Sequence, residues 1–493
     1  MNESDRTGHL LQAESHTAYS QNQTLMIMLG LGSALMLVSL DQTIVATALT
    51  AIAVDLHEVA LYGWVLAAYL LTSTATTPLY GKLSDQFGRK RIFQISILIF
   101  LAGSALSGLS QNMYQLIGFR AVQGLGAGGL ATLVFVISAD VVAPRERGRY
   151  QSYLAAVGVI SSFSGPLIGG FLVTAVSWRW VFYINLPVGV IGLLVIQRLL
   201  ELDSRSRSSK VDMTGSALIV SGISLILVAV QVASSAARIT GTAWAFGGPG
   251  ILLLAVFIWW ETRAADPIIP LSLIRLRTVA IASFLALVSG AIWFVVVIFI
   301  PLYLQSVRGA SPTMSGLRML PLLFGYALAT FWSGRLSSKL GRYKLFLVAG
   351  NAMLTAAVAV LGGISVSTSP WPLAGMLVLT GFGLGLLIQL LVVTVQNAVP
   401  PEHVGAGTAL VSLFRYLGGA VGTAVIGATL ALNEKYSLPG YERRFGRTSH
   451  AAESHAFAYG LDRAFMYALP VAAVALILSC AIREVHLPGR SAP

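Results

Sequence analysis

Residues 81–91 read GKLSDQFGRKR and follow directly on an apolar segment. A related stretch, GRLSSKLGRYK, occupies residues 334–344 and agrees with the first at both glycines, the leucine, the first serine and the arginine after the second glycine. The offset is 253 residues, and glycines at 124, 126 and 128 recur at 381, 383 and 385 with an offset of 257. These repeats predict that the chain consists of two related halves.

The composition places most of the chain in a lipid environment. Of its 493 residues, 56% are hydrophobic and 11% charged, and the mean hydropathy is +0.77. Soluble domains carry about 25% charged residues, so this composition excludes a soluble enzyme, a nucleic-acid-binding protein and a disordered chain. The single cysteine, Cys480, excludes an internal disulfide and a cysteine-based zinc site. Residues 1–23 are polar, and we expect the first apolar segment to be an uncleaved anchor.

The hydropathy pattern predicts an all-α polytopic membrane protein with fourteen transmembrane helices, because about 20 apolar residues cross a bilayer core. The predicted spans are 24–52, 62–81, 92–110, 113–139, 149–174, 179–198, 213–234, 243–260, 278–304, 315–335, 344–363, 371–397, 404–431 and 463–483. They give an N-terminal tail (1–23), a six-helix half (24–198), an inserted two-helix segment with its flanking loops (199–277), a second six-helix half (278–483) and a C-terminal tail (484–493).

Lysine and arginine predict the orientation of these spans. With the N-terminus inside, the cytoplasmic segments hold 21 of these residues, whereas the short outer loops and helix ends hold 4. Both termini are therefore predicted to be cytoplasmic. The longer loop at 432–462 carries four more basic residues and is placed outside, as a solvated cap or, alternatively, as a surface that guides substrate.

Duplicated six-helix halves are the architecture of transporters that rock around a site between the halves, near the bilayer midplane. Few ionisable residues lie inside the spans, and each costs about 2.5–3.5 kcal/mol at the bilayer centre. Asp41 and Arg120 are predicted at similar depth, so they could share one cavity. Asp41 then either binds and releases a proton, or forms a static pair with Arg120 that locks two helices together.

Arg415 is the other charge inside a span. It is predicted either to contact substrate or a group of carbonyls, or to act as a structural anchor. Asp140, beside Arg145 and Arg147, is predicted to form a surface ion pair.

Two motifs suggest how the halves move. In the first loop, Asp85 could pair with Arg89 or Lys90, or cap a helix of the other half, and so hold one face closed; alternatively, the basic loop only marks orientation. In residues 158–170, glycine and serine permit close helix packing, and Pro166 removes one backbone hydrogen bond.

The chain resembles the major facilitator superfamily and, within it, the fourteen-helix drug:proton antiporter family. The resemblance covers roughly residues 25–485. It rests on the loop motif together with LDQTIVATAL (40–49), RAVQGLG (120–126), GPLIGG (165–170), SWRWVFYINLP (177–187) and YLQSVRG (303–309).

The resemblance implies a role for each matching residue. Asp41 is then the proton-coupling carboxylate and Arg120 its modulator. The implied cytoplasmic gate comprises Gly81, Asp85, Gly88, Arg89 and Lys90, and the helix bend that favours antiport comprises Gly165, Pro166, Gly169 and Gly170. Two positions depart from the family pattern. Ser161 replaces a glycine, and Ser338 replaces the aspartate in the second loop, so the two gates should differ in strength.

No phosphate-binding loop and no HExxH motif occur, which argues against ATP drive and a zinc protease. The expected function is proton-driven export of amphipathic drugs or toxic compounds, cationic ones among them. The protein is not expected to be an enzyme or to bind a cofactor. The expected protein works as a monomer in the bacterial cytoplasmic (inner) membrane. The candidate substrate cavity comprises Tyr69, Trp293, Gln389, Gln396 and Arg415. The alternatives are a same-fold exporter of a lipid, siderophore or metabolite, and a non-transporting receptor or scaffold.

Overall fold

The computed structural model describes residues 20–482, apart from 59–60, 145, 201–211, 236–240, 265–266, 270, 311, 401–402 and 447–448. The predicted N-terminal tail up to residue 19, residues 201–211 of the inserted segment and the C-terminal tail lie outside the described residues. The regular structure of the described part is entirely helical, which satisfies backbone polar groups inside lipid. The helices are α1 (Gln21–Asp55), α2 (Tyr62–Phe87), α3 (Arg89–Gly108), α4 (Met113–Val141), α5 (Arg147–Ala175), α6 (Trp180–Tyr183), α7 (Asn185–Leu199), α8 (Met213–Ser235), α9 (Gly241–Glu261), α10 (Leu271–Arg275), α11 (Arg277–Ser306), α12 (Pro312–Arg318), α13 (Leu320–Leu340), α14 (Lys344–Leu361), α15 (Pro370–Ala398), α16 (Val404–Phe445) and α17 (His450–Cys480).

In the described part, helices occupy all fourteen predicted span positions, with α6 and α7 sharing one position and α12 and α13 another. Eleven helical segments of the described part are long and apolar enough to cross a membrane. The helices at the other three predicted positions, α2, α5 and α8, do not meet this criterion. The polytopic all-helical fold is thus confirmed, whereas the count of fourteen membrane spans stays a prediction.

The predicted duplication is visible in how the helices pack. In the first half α4 packs against α2 and α3, and in the second half α15 packs in the same way against α13 and α14. The repeated glycines make these contacts. A side chain at Gly124 would collide with Tyr69 of α2, and one at Gly381 would collide with Leu322 of α13. The glycine repeat therefore exists because both halves need the same close approach of backbones.

The inserted helices α8 and α9 pack against each other, and α8 also contacts α2 of the first half and α16 of the second. The structure thus places the insertion beside the junction of the two halves rather than within either one.

The segment 432–462 differs from its prediction as a solvated loop. α16 continues to Phe445 and α17 begins at His450, so most of the segment is a helical hairpin. His455 stacks on Phe445 with ring centroids 4.7 Å apart, and the Ser449 hydroxyl caps α17. The charge of this segment does not distinguish a hairpin from a loop, because the hairpin is stabilised by helix capping and ring stacking.

Candidate transport site

The strongest polar cluster inside the bundle surrounds Asp41 of α1. Arg120 of α4 donates from Nη1 to Asp41 Oδ2 at 2.6 Å, and both side chains are fully buried. Gln123 Nε2 and Asn185 Nδ2 donate to the other carboxylate oxygen at 2.9 and 3.0 Å. Each oxygen of Asp41 therefore has at least one donor, and one of the donors carries the compensating charge.

The guanidinium of Arg120 is held by further groups of the same half. Its Nη1 also donates to Gln123 Oε1 at 2.8 Å, and its Nε donates to the carbonyl of Val65 at 3.4 Å. It lies 4.2 Å from the ring centroid of Tyr69, a cation–π distance. Tyr69, a predicted cavity residue, is thereby fully buried under Arg120 in this conformation.

Gln123 and Asn185 were not among the predicted site residues. Gln123 lies three positions after Arg120, on the same helix face, and Asn185 lies in the SWRWVFYINLP stretch. Asn185 also donates to Ser104 Oγ at 3.0 Å, and Ser104 donates to the carbonyl of Phe182 at 2.8 Å. For both Gln123 and Asn185, the position of a polar residue within an apolar segment is the sequence feature that could have indicated a site residue.

The carboxylate of Asp41 and the guanidinium of Arg120 form an ion pair that is fully buried. As a carboxylate, Asp41 balances Arg120, so that the pair is electrically neutral. As a neutral acid, it would leave Arg120 as a buried cation that needs a new partner or water. Loss of either charge would therefore leave the other buried without its counter-charge.

Three candidate cavity residues of the second half, Trp293, Gln389 and Arg415, lie around Tyr326. Trp293 of α11 packs against Tyr326 of α13 with ring centroids 5.2 Å apart. The amide of Gln389 on α15 and the guanidinium of Arg415 on α16 both lie near Tyr326. Arg415 stands 5.3 Å from the ring centroid of its neighbour Tyr416, which itself lies near Tyr69 of the first half. The four helices thus bring one charge, one amide and three aromatic rings together.

The Gly81–Arg91 motif marks one end of the bundle, called the motif end below, and there it joins the two halves. Gly81 allows α2 to approach Ala409 and the carbonyl of Gly405 on α16. Asp85 accepts from the backbone N–H of Ala406 in the first turn of α16, where a carboxylate is favourable. The carboxylate of the first half therefore caps a helix of the second.

Charged neighbours surround this cap. Arg89 Nη2 donates to Asp85 Oδ1 at 3.2 Å, and Arg89 also pairs with Asp140. Asp140 thus pairs with Arg89 of the loop, whereas the predicted neighbour Arg145 lies outside the described residues. Gly88 has φ 91°, which favours glycine, and separates α2 from α3. Lys90 donates to the carbonyl of Gln197 at 2.9 Å, away from the cap.

Further hydrogen bonds close the motif end between α5 and the second half. Arg147 donates to Asn397 Oδ1 at 2.7 Å, and Gln151 donates to Gln396 Oε1 at 2.8 Å. Gln396 in turn donates to the carbonyl of Phe135 and to Thr408. Gln396, a predicted cavity residue, is therefore part of the closure in this conformation.

The second loop copy closes the same end by packing. A side chain at Gly334 of α13 would collide with Ser152 and with the carbonyl of Gly148 on α5. At the equivalent of Asp85 the second copy has Ser338, so this contact has no carboxylate cap. The two copies thus join the halves by different contacts, and a difference in strength between the two gates stays a prediction.

The proposed antiport motif lies within α5, which runs unbroken from Arg147 to Ala175 through Pro166. Gly165 and Gly169 lie against Thr43 and Thr47 of α1, where a side chain would collide. Gly170 has no neighbour within 4 Å of such a side chain. The first two glycines therefore serve the contact between α1 and α5, next to the helix segment that carries Asp41.

Two shallow cavities of about 180 and 570 Å³ lie at the end opposite the motif, where Pro321 and Trp371 line both. Neither is lined by Asp41, Arg120 or Arg415. Their exposed apolar walls, Phe324 and Trp371 among them, suit lipid chains better than an enclosed substrate.

Comparison with known proteins agrees with this architecture. The model of the family described as Major Facilitator Superfamily matches residues 31–423. An uncharacterized MFS-type transporter of Mycobacterium tuberculosis (strain ATCC 25618 / H37Rv) is 35% identical over 90% of this chain and 67% of its own length. Multidrug resistance protein 3 of Bacillus subtilis (strain 168) is 33% identical over 85% of this chain and 83% of its own length.

Multidrug transporter protein MdtP, also of Bacillus subtilis (strain 168), is 30% identical over 83% of this chain and 76% of its own length. Among solved structures, a double Trp mutant of XylE matches with a TM-score of 0.65 and 14% identity, over 95% of this chain and 98% of that one. At this identity the structural likeness shows the fold alone.

Proposed function

Because the chain belongs to the major facilitator superfamily, we propose that it is a proton-coupled antiporter that exports amphipathic small molecules by alternating access. It is a multi-pass membrane transporter and not an enzyme, and relatives at 30–33% identity are multidrug transporters. The observation that carries the proposal is the fully buried pair of Asp41 and Arg120. We place the motif end and both termini in the cytoplasm, and the protein in a bacterial cytoplasmic membrane as a monomer.

The coupling step follows from the charge balance of this pair. With Asp41 ionised, Arg120 is neutralised and the helices α1 and α4 are tied together by a bond of 2.6 Å. Protonation of Asp41 breaks this ion pair and leaves Arg120 as a buried cation. Helix arrangements that give Arg120 water or another acceptor are then favoured. Release of the proton to the cytoplasm restores the ion pair, so that each cycle moves one proton inward and the substrate outward.

The opposite conformation requires the motif end to open. Opening would break the cap of Asp85 on α16 and the bonds of Arg147 and Gln151 to α15. Since these contacts exist between the halves rather than within them, rocking of the halves breaks them together. The conformation described here therefore corresponds to the state closed towards the cytoplasm.

A transmembrane potential supports such a cycle energetically. One elementary charge crossing 100 mV releases about 2.3 kcal/mol, and about 1.4 kcal/mol corresponds to a tenfold gradient. One proton per cycle is thus sufficient for a useful export gradient.

The test is substrate-dependent proton flux in liposomes that contain the purified protein and a pH-sensitive dye. Gradients of anionic, neutral and cationic amphipathic dyes are imposed in turn, and wild type is compared with Asp41→Asn. Asp55→Asn is the matched control, since Asp55 lies on the same helix, pairs with Arg179 and is half exposed. Proton movement that is lost only in Asp41→Asn supports the proposal.

Equal proton movement in folded Asp41→Asn and in wild type would remove Asp41 from the coupling path. Absence of proton movement with a panel of amphipathic dyes would favour the lipid, siderophore or metabolite exporter. Absence of any transported compound would favour the receptor or scaffold.

A further inference from the structure

Arg415 lies on the face of α16 that points to the centre of the bundle. Thr408 hydrogen-bonds Gln396 in the closure between the halves, and Arg415 follows it by seven residues, which is two helical turns on the same face. Arg415 is therefore stacked directly above the closure, about 16 Å along the helix from Val404. This is the depth at which a rocking transporter holds its substrate.

Among the described residues, Arg415 has neither an ion pair nor a hydrogen bond to its guanidinium. Its guanidinium stands 5.3 Å from the ring centroid of Tyr416 and also lies near Tyr326. Arg120, by contrast, has Asp41, Gln123 and Val65 as acceptors. A guanidinium at this depth is costly, so a purely structural anchor should show the acceptor to which it is anchored.

The surroundings of Arg415 provide the other elements of a binding site. Trp293, Tyr326 and Tyr416 supply aromatic surface, and the buried Gln389 Oε1 has no hydrogen-bond partner. The acidic side chain that could balance Arg415, Asp41, already has Arg120 at 2.6 Å. Counting the described residues only, the centre of the bundle thus carries one positive charge in excess, next to apolar surface.

We propose that the transported compound carries an anionic group, such as a carboxylate, sulfonate or phosphate, that binds to Arg415 while its apolar part packs on Trp293, Tyr326 and Tyr416. This assignment rests on the proposed export function and replaces the expectation of a cationic substrate. A cation would have to approach Arg415 unscreened, and the carboxylate of Asp41 is fully buried behind Arg120.

The experiment compares three probes that share one apolar body: 1-pyrenebutyrate, 1-pyrenebutanol and 1-pyrenebutylamine. Binding to purified protein in nanodiscs of phosphatidylcholine is followed by energy transfer from tryptophan, without any proton gradient. Wild type is expected to bind the carboxylate at least tenfold more tightly than the alcohol or the amine. Charge-assisted hydrogen bonds to the planar guanidinium provide this preference.

The variants separate charge from packing. Arg415→Gln should lower the affinity for pyrenebutyrate at least tenfold and change the affinity for pyrenebutanol less than twofold. Arg415→Lys should retain part of the preference for the carboxylate. The matched control Arg463→Gln removes an equally charged but exposed side chain and should change none of the three affinities. If Arg415→Gln does not fold, two measurements replace it. These are the affinity of Arg415→Lys for pyrenebutyrate and the fall of the wild-type affinity for pyrenebutyrate as salt rises.

Equal weakening of all three probes in Arg415→Gln, or tightest binding of the amine to wild type, would overturn the proposal. A second set of nanodiscs containing phosphatidylglycerol distinguishes two sources of the anionic group. If this lipid displaces pyrenebutyrate from wild type, the site takes an anionic lipid; if it does not, the site takes soluble amphiphiles. Since binding is measured without proton flux, this result stands apart from the outcome for Asp41→Asn.

Discussion

Arg120 Nη1 lies 2.6 Å from Asp41 Oδ2, and both side chains have zero solvent exposure although 79 positions separate them in the chain. A buried pair of this kind is weak evidence for stability, because desolvation offsets the attraction. Removal of one partner is costly, since an uncompensated charge is left behind. The pair is therefore better suited to a switch than to a scaffold.

The first prediction is a double-mutant cycle on this pair. Arg120→Gln and Asp41→Asn should each destabilise the protein by about 3–5 kcal/mol, whereas the double variant should recover most of that loss. The measurement is thermal unfolding in detergent, followed by intrinsic fluorescence. Strictly additive effects in the double variant would contradict a direct charge pair.

The second prediction concerns Asn185, which connects Asp41 to Ser104. Asn185→Ala should destabilise the fold by about 1–3 kcal/mol, since two buried acceptors lose their donor. It should also lower proton flux in the liposome assay, because Asp41 loses one of its positioning groups. Asn112→Ala, which removes an exposed helix cap, is the control for stability alone. Unchanged flux in Asn185→Ala would exclude a positioning role.

The third prediction concerns the closeness of α2 and α16 at the motif end. A Cβ at Gly81 would lie 2.7 Å from that of Ala409, so Gly81→Ala should push the halves apart and favour opening there. A cysteine at the buried Ser138, in a Cys480→Ser background, should then react faster with maleimide. Gly118→Ala, with no neighbour within 4 Å, should leave the rate unchanged. Equal rates for both variants would show that the contact does not limit opening.

The fourth prediction is the pH dependence of this closure. Asp85 lies past the predicted span of α2, and burial raises its pKa to about 6 despite the opposing charge of Arg89. The same carboxyl should titrate near its usual 3.8 once opening hydrates it. The closed state then binds the proton more tightly, so protonation below about pH 6 stabilises closure and a rise through pH 6 weakens it.

The groups that face Asp85 are Arg89, Asp140 and the first turn of α16. Maleimide labelling at Ser138→Cys should therefore slow as pH falls from 7 to 5, after correction for thiol ionisation with a free thiol. Asp85→Asn should abolish this dependence. A labelling rate that rises on acidification would give the opposite sign and refute the assignment.

Several parts of the site were predictable from sequence for physical reasons. Asp41, Arg120 and Arg415 stood out because a charge inside a span is costly. The glycines at 124 and 381 indicated the duplication, since only a glycine tolerates such close backbones. The helical hairpin of 432–445 and 450–462 was missed, because its polar surface resembles that of a loop while its stability comes from capping and ring stacking.

Hydropathy and local spacing are enough to show which segments are apolar, that motifs of the first half recur in the second, and which charges fall within the predicted spans. Which of those charges are compensated becomes visible only in the folded bundle. The rotation of each helix about its axis brings Gln123 and Asn185 to Asp41. It leaves Arg415 near aromatic rings, without an ion pair among the described residues. That rotation depends on packing between helices far apart in the chain, and no local pattern encodes it.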